Sequence, residues 1–248
     1  MKIKFYQNLD YSLYPSEKRE LINKLKKCAS TCFSQLPNYQ CLSEDFTFEG
    51  SVITIAWDKD VVVGFSSGLE LSDSDGDKFL HLGLTCVHAD YRSLGLTHKL
   101  AGKLAFQYLI RNKLMGKVWF SNIAGVVSSL ANVGKSFDLV FPSPGVESPS
   151  EKHSVIASTI SNTYRHLVHI DKDKEFDSQK FVFKNSAGKI FYKGANDSRY
   201  HHRDKKLTNF YLNWVDLNSG DEMIQVGYFS LLTFLRYLLS TFKLFKLK

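Results

Sequence analysis

Hydrophobic and polar positions alternate, then change period, several times along the first half of the chain. "KIKFYQNL" alternates and predicts a short strand. "YPSEKRELINKLKKCASTCFSQL" then steps Leu21, Leu25, Cys28 and Cys32 along one helical face, with Ser16 as N-cap and Pro37 past the end. "SVITIAWDKDVVVGFSSGLEL" is two β-rich runs around a polar "DKD", a hairpin signal. "KFLHLGLTCVH" is a further strand. "GLTHKLAGKLAFQYLIRNKL" places Leu96, Leu100, Leu104 and Tyr108 four apart, a helix. "GKVWFSNIAGV" predicts another strand and "VSSLANVGKSF" a short helix.

The second half is read more coarsely. "FPSPGVESPSEKH" is a loop or boundary, and "HSVIASTISNTYRHLV" a helix. "KFVFKNSAGKIFYKG" predicts a hairpin around "NSAG", and "NFYLNWVDLNSGDEMIQVGYF" a strand pair turning at "NSGD". In "SLLTFLRYLLSTFKLFKLK", Ser230, Thr233, Arg236, Ser240, Lys243 and Lys246 step by three or four, a narrow polar stripe beside a broad apolar face. That pattern fits packing, dimerisation or lying on an anionic membrane. The element order predicts an α/β fold with a mixed, substantially antiparallel sheet.

Composition adds little to this. The 248 residues are 44% apolar and 23% charged, with a formal charge of +7. A basic surface favours anionic partners, among them phosphorylated cofactors, nucleic acid and acidic membrane. No RNP motif or helix-turn-helix signature directs that charge toward nucleic acid. No apolar run reaches the roughly 18 residues of a membrane span, and the first residues lack the apolar segment of a signal peptide. The expected location is cytoplasmic, with peripheral membrane contact through the tail left open. Cys28, Cys32, Cys41 and Cys86 form no CxxC pair and read as reduced core thiols. Asp73, Asp75 and Asp77 lack the glycine and glutamate spacing of a calcium loop. No metal is expected.

The stretch "TCVHADYRSLGLTHKL", Thr85 to Leu100, carries the candidate chemistry. A strand gives way to a helix across Arg92 and Gly95. The first amides of a helix have no intrahelical partner, and the helix dipole makes that end attractive to anions. Gly95 lets backbone approach a phosphate, and Arg92 offers a charge-assisted contact. An ordinary turn is the plainer alternative. The pattern is neither a Walker A loop nor G-x-G-x-x-G.

"VHADYRSLGLTHKL" resembles motif A of the GNAT superfamily of N-acetyltransferases, which runs Val-x-x-x-x-[Arg/Gln]-x-x-Gly-x-[Gly/Ala] into a leucine-rich helix. Val87, Arg92 and Gly95 match; Thr97 departs from the usual small residue. The "AWDKDVVVGFSSG" hairpin and the element order agree, so the resemblance covers roughly residues 1–142. It implies a GNAT acyl-CoA N-acyltransferase fold over 1–142. Residues 143–248 would be an α/β extension completing the sheet and acceptor site and ending in a basic amphipathic helix over 229–248.

The resemblance further implies acyl transfer from acyl-CoA, acetyl-CoA above all, to an acceptor amine. Ser93, Leu94, Gly95, Leu96 and Thr97 would hold the pyrophosphate with their amides. Cys86 and Val87 would pair with the pantetheine arm beside a bulge near Val87, and Asn122 would help hold it. A base must take the amine's proton. Strand alternation puts Phe79, His81, Gly83, Thr85 and Val87 on one face, with Cys86 opposite. His81 matches the first histidine of a His-x-His pair in the arylalkylamine branch, while Gly83 replaces the second. His81 is therefore a candidate base or a satisfied buried histidine. Glu70 is a second candidate base or a solvated hairpin-end carboxylate. Asn132 stands where many relatives place an acidic tyrosine, which favours a catalytically weak CoA-binding or regulatory module as the alternative. Ser128 and Ser129 would cap the next helix. His88, His98 and the cluster Tyr200–Lys206 read as exposed.

Overall fold

The computed structural model describes residues 1–9 and 12–245. The chain is mixed α/β and forms two compact units: residues 1–71 with 80–110, and residues 72–79 with 111–248. Residues 111–142 thus group with the second unit, and the proline-rich stretch after Phe141 lies inside it.

In the first unit β1 (Lys2–Gln7) pairs antiparallel with β2 (Ser51–Asp58), and β2 with β3 (Val61–Ser72). β4 (Lys78–Val87) follows β3 in the sheet order. β3 is buried almost throughout because a helix covers each sheet face. On one face, Ile22, Leu25, Cys28 and Ala29 of α1 (Pro15–Ala29) pack with Ile53, Ile55, Phe65 and Cys86. On the other, Leu96 and Leu100 of α2 (Leu96–Asn112) pack with Ala56, Val63 and Val87. Each fully buried leucine of this kind contributes about 1.5–3 kcal/mol relative to exposure. α1 begins at Pro15, whose missing N–H costs nothing in a first turn. The backbone N–H of Tyr14 donates to Glu17 Oε2 (2.8 Å), so the helix starts before the expected Ser16. It also ends before Cys32, which sits in the following turn.

In the second unit β5 (Val118–Ala124) pairs antiparallel with β9 (Glu222–Phe229). The other edge of β9 holds β6 (Asp138–Phe141) and β8 (Val182–Phe183), and β8 pairs with β7 (Phe176–Asp177). The helices are α3 (Val127–Ser136), α4 (Glu151–Thr159), α5 (Gly188–Phe191), α6 (Lys205–Trp214) and α7 (Leu231–Phe245). α3 and α6 share a cluster built on Leu130, Ala131, Tyr211 and Met223. β5, α3 and β9 arise where the pattern places them; the helix expected over "HSVIASTISNTYRHLV" begins earlier, at Glu151, is α-helical to Thr159 and continues as a π turn over Ile160–Tyr164.

Three expectations are corrected here. The hairpin around "NSAG" is not formed. The buried Asp221 accepts from the Asn185 amide (3.0 Å) and pairs with Lys184 (2.8 Å), and the chain turns into α5 instead of a return strand. The first half of the expected strand pair "NFYLNWV" is helical α6, N-capped by Asp204, which accepts from the Lys206 amide at 2.9 Å. Ser128 and Ser129 lie inside α3, whose N-cap is Val126 with no side-chain bond. The element order from β1 through β6 follows the arrangement that the resemblance to motif A implies.

Candidate functional site

The strand-to-helix turn sits wholly in the first unit. After β4, a short 3₁₀ turn (Ala89–Tyr91) leads to Arg92, Ser93, Leu94 and Gly95, all exposed, and α2 begins at Leu96. Ser93 (φ 70°) and Gly95 (φ 67°) are both left-handed. Among the described residues, no amide from Ser93 to Thr97 donates to a backbone carbonyl. Alternation of left-handed and ordinary residues turns successive amides toward one side, the geometry of an anion nest. A Cβ built on Gly95 would meet nothing within 4 Å, so a side chain at this position would enter open space. Leu96 anchors the helix start in the core at 2% exposure. The result is a fixed set of amides at the positive end of a helix of 17 residues.

Arg92 is tied back into the fold. Its Nη2 donates to the Thr31 carbonyl (2.9 Å), and the Thr31 hydroxyl accepts from the Ala89 amide (3.2 Å). The turn after α1 therefore clamps the loop before α2. Cys32 joins the same clamp. In its protonated form its thiol donates to the Val87 carbonyl, 3.3 Å away. A hydrogen bond from Cys86, with Arg92 and Thr31 beside it, pulls the Cys32 thiol down; the same bond, with burial, pushes Cys86 well up. Nothing in the local pattern around Arg92 reveals Thr31 and Cys32, which come from about sixty residues away. The only cue was the four-residue spacing of Cys28 and Cys32.

The alternation of β4 breaks between Gly83 and Thr85. A Cβ on Gly83 would fall 1.9 Å from Gln40 Oε1 and 2.7 Å from Ser67 Oγ, whereas Thr85 bonds Ser66 (2.8 Å) and Val87 packs on α2. Cys86 lies in the core cluster with Cys41 and Leu42, the neighbours of Gln40. An extra residue in a strand has this consequence, as in a β-bulge. The expectation of one face for His81, Gly83, Thr85 and Val87 is therefore corrected. So is the placement of Cys86 opposite His81.

His81 is enclosed at 1% exposure. Its Nε2 lies 3.4 Å from the Tyr39 hydroxyl, which accepts from Gln40 Nε2 (2.6 Å), and Gln40 Oε1 accepts from Ser67 (2.9 Å). Burial pushes the imidazole down to about 3, so the ring is neutral at physiological pH. Gln40, at φ 47°, fills the space that a side chain at position 83 would need. Glu70 is half-buried and accepts from the Tyr108 hydroxyl at 2.6 Å. Burial and that bond push the Tyr108 phenol well up.

Asn122 belongs to the second unit. It is 6% exposed and its Nδ2 donates to Gln225 Oε1 (3.4 Å). Gln225 Nε2 in turn reaches Leu130 O (3.2 Å), Pro142 O (3.1 Å) and the Tyr211 hydroxyl (3.0 Å). Asn132 is half-buried on α3. Among the described residues, no group of three or more His, Cys, Asp or Glu side chains is placed to hold a metal ion. The acidic loop at Asp73 is held by protein groups: the amides of Asp75 and Asp77 (3.0 Å each) and the Lys152 ammonium (2.6 Å).

No family model matches the chain, and no curated protein sequence matches it. Solved structures do. Escherichia coli ElaA is 17% identical over 56% of this chain and 86% of its own, with a TM-score of 0.40. An acyl-CoA N-acyltransferase from Pseudomonas aeruginosa is 18% identical over 48% and 77%, TM-score 0.36. A ribosomal-protein-alanine N-acetyltransferase from Brucella melitensis biovar Abortus 2308 is 18% identical over 44% and 73%, TM-score 0.32.

Proposed function

We propose that the chain is a GNAT-type N-acyltransferase that takes an acyl group, acetyl above all, from coenzyme A. The observation that carries this reading is the open set of amides from Ser93 to Thr97 at the start of α2. A pyrophosphate needs several N–H donors, a positive helix end and room for its oxygens, and this turn supplies all three. Arg92 acts first as the clamp that holds the turn in shape, through Thr31. The backbone of Cys86 and Val87 would run beside the pantetheine arm.

In the reaction the acceptor nitrogen attacks the thioester carbon directly. The N–C bond forms, the C–S bond breaks, and the sulfur leaves to take up a proton. A base must first remove a proton from the ammonium form of the acceptor. Of the two candidates, the enclosed neutral His81 is poorly placed to exchange protons with a bound amine unless Tyr39 and Gln40 move. Glu70 is the better base on exposure.

A second reading has its own support. Closure of His81, the Gln40 amide against Gly83 and Asn132 at the tyrosine position all favour a module that binds CoA without turning it over. Release of free CoA thiol from acetyl-CoA in the presence of an amine panel separates the two. Amine-dependent release that falls at least about tenfold in Glu70→Gln, an effect typical of losing a general base, supports catalysis with Glu70. Binding of acetyl-CoA without release with any amine supports the module.

A further inference from the structure

α7 turns Thr233 and Phe234 inward and leaves a run of leucines outward. Thr233, from the polar stripe, is 5% exposed; its hydroxyl donates to Asp138 Oδ2 (2.5 Å) and accepts from the Ser230 amide (2.8 Å). Arg236 pairs with the other oxygen of Asp138. The polar stripe is therefore the attachment to β6. Next to Arg236 around the helix, Leu232 (67%), Leu235 (53%), Leu238 (51%) and Leu239 (63%) stand exposed. At roughly 100° per residue these four fall within about a third of the helix circumference. Isolated exposed leucines are ordinary, but a contiguous leucine stripe marks a contact surface.

The sequence indicates what covers it. From Met223 to Lys248 there is no aspartate or glutamate, and the bases are Arg236, Lys243, Lys246 and Lys248. Arg236 is neutralised by Asp138, leaving three lysines toward the chain's end without a carboxylate on the same segment. Two copies meeting through this face would bring together two segments that are both basic and carry no carboxylate. An anionic lipid surface supplies the counter-charge, and its acyl boundary takes the leucines. Among the described residues no helix is long and apolar enough to cross a membrane.

We propose that α7 is an interfacial anchor, its leucine face lying at the boundary between headgroups and acyl chains of an anionic bilayer, with the basic, carboxylate-free sequence of this segment setting the preference for anionic lipid. The test is co-sedimentation of the full chain with vesicles of phosphatidylcholine alone and of phosphatidylcholine mixed with phosphatidylserine, with sedimentation velocity in parallel. The chain should pellet with the mixed vesicles. Leu232→Gln/Leu235→Gln/Leu239→Gln should weaken this at least about tenfold, since binding scales with buried apolar area. Lys243→Gln/Lys246→Gln/Lys248→Gln should lose the preference for phosphatidylserine by about tenfold or more, since basic residues near such a surface supply it. Wild-type protein left in the supernatant with mixed vesicles overturns the proposal. So does a dimer abolished by the leucine variant when no lipid binding is seen, which assigns the face to a second copy.

Discussion

His81 shows how one residue's chemistry is decided by its cover. On a half-open strand a histidine with an ordinary pKa near 6.5 suits base catalysis. Here Tyr39, Gln40 and Ser67 close over it, and burial holds its pKa down to about 3. The sign of the stability effect follows. Between pH 3 and 6.5 the unfolded chain binds a proton at this site that the folded chain refuses, so His81 makes stability fall as pH falls through that window. Glu222 works the other way: burial pushes its carboxyl up to about 7, so it adds stability as pH falls from 7 toward 4.5. Replacing His81 by Gln should therefore leave the Glu222 slope exposed. Thermal unfolding from pH 7.5 to 5 should show a variant that loses less stability on acidification than the wild type. Parallel profiles for the two proteins would contradict the buried neutral ring. Gly83 belongs to the same local logic, because Gln40 Oε1 already occupies the place of any side chain there.

At the scale of elements, legibility followed the source of the order. α2 was readable because Leu96, Leu100, Leu104 and Tyr108 repeat at one period and pack on one face. α6 was not, although Leu207, Phe210, Tyr211 and Trp214 stand at helical spacing. Phenylalanine, tyrosine, tryptophan and valine favour strands on a half-buried surface. Packing on α3 and the Asp204 cap override that preference. Asp204→Ala should thus cost about 1 kcal/mol, the typical value of an N-cap, measurable by urea unfolding with unchanged slope; no change would show that the cap is idle. The strand-turn-helix itself was legible, since its parts lie within sixteen consecutive residues. The Thr31 and Tyr39–Gln40 contacts were not, being tertiary contacts across some forty to sixty residues. α7 was legible as a helix over Leu231–Phe245, and residues 246–248 of the expected helix lie outside the described residues. Its orientation was hidden, because tertiary contacts with Asp138 on β6 and Phe229 on β9 decide which face turns inward.

For the molecule as a whole, the two units present different surfaces. The first unit presents an open amide nest on a helix supported by a two-faced core. The second presents a buried polar network around Gln225 and an outward leucine face. A formal charge of +7 suits both an anionic cofactor and an anionic surface. Everything proposed about acyl transfer depends on whether the nest holds coenzyme A. Gly95→Glu addresses this alone. Its side chain would have room, its left-handed φ costs roughly 1–2 kcal/mol, and its carboxylate would take the anion's place. Isothermal titration of acetyl-CoA should show binding by the wild type and loss of at least about tenfold in affinity in a folded Gly95→Glu variant, as expected when one charge-assisted phosphate site is blocked. No binding by the wild type, or equal binding by the variant, would contradict the account.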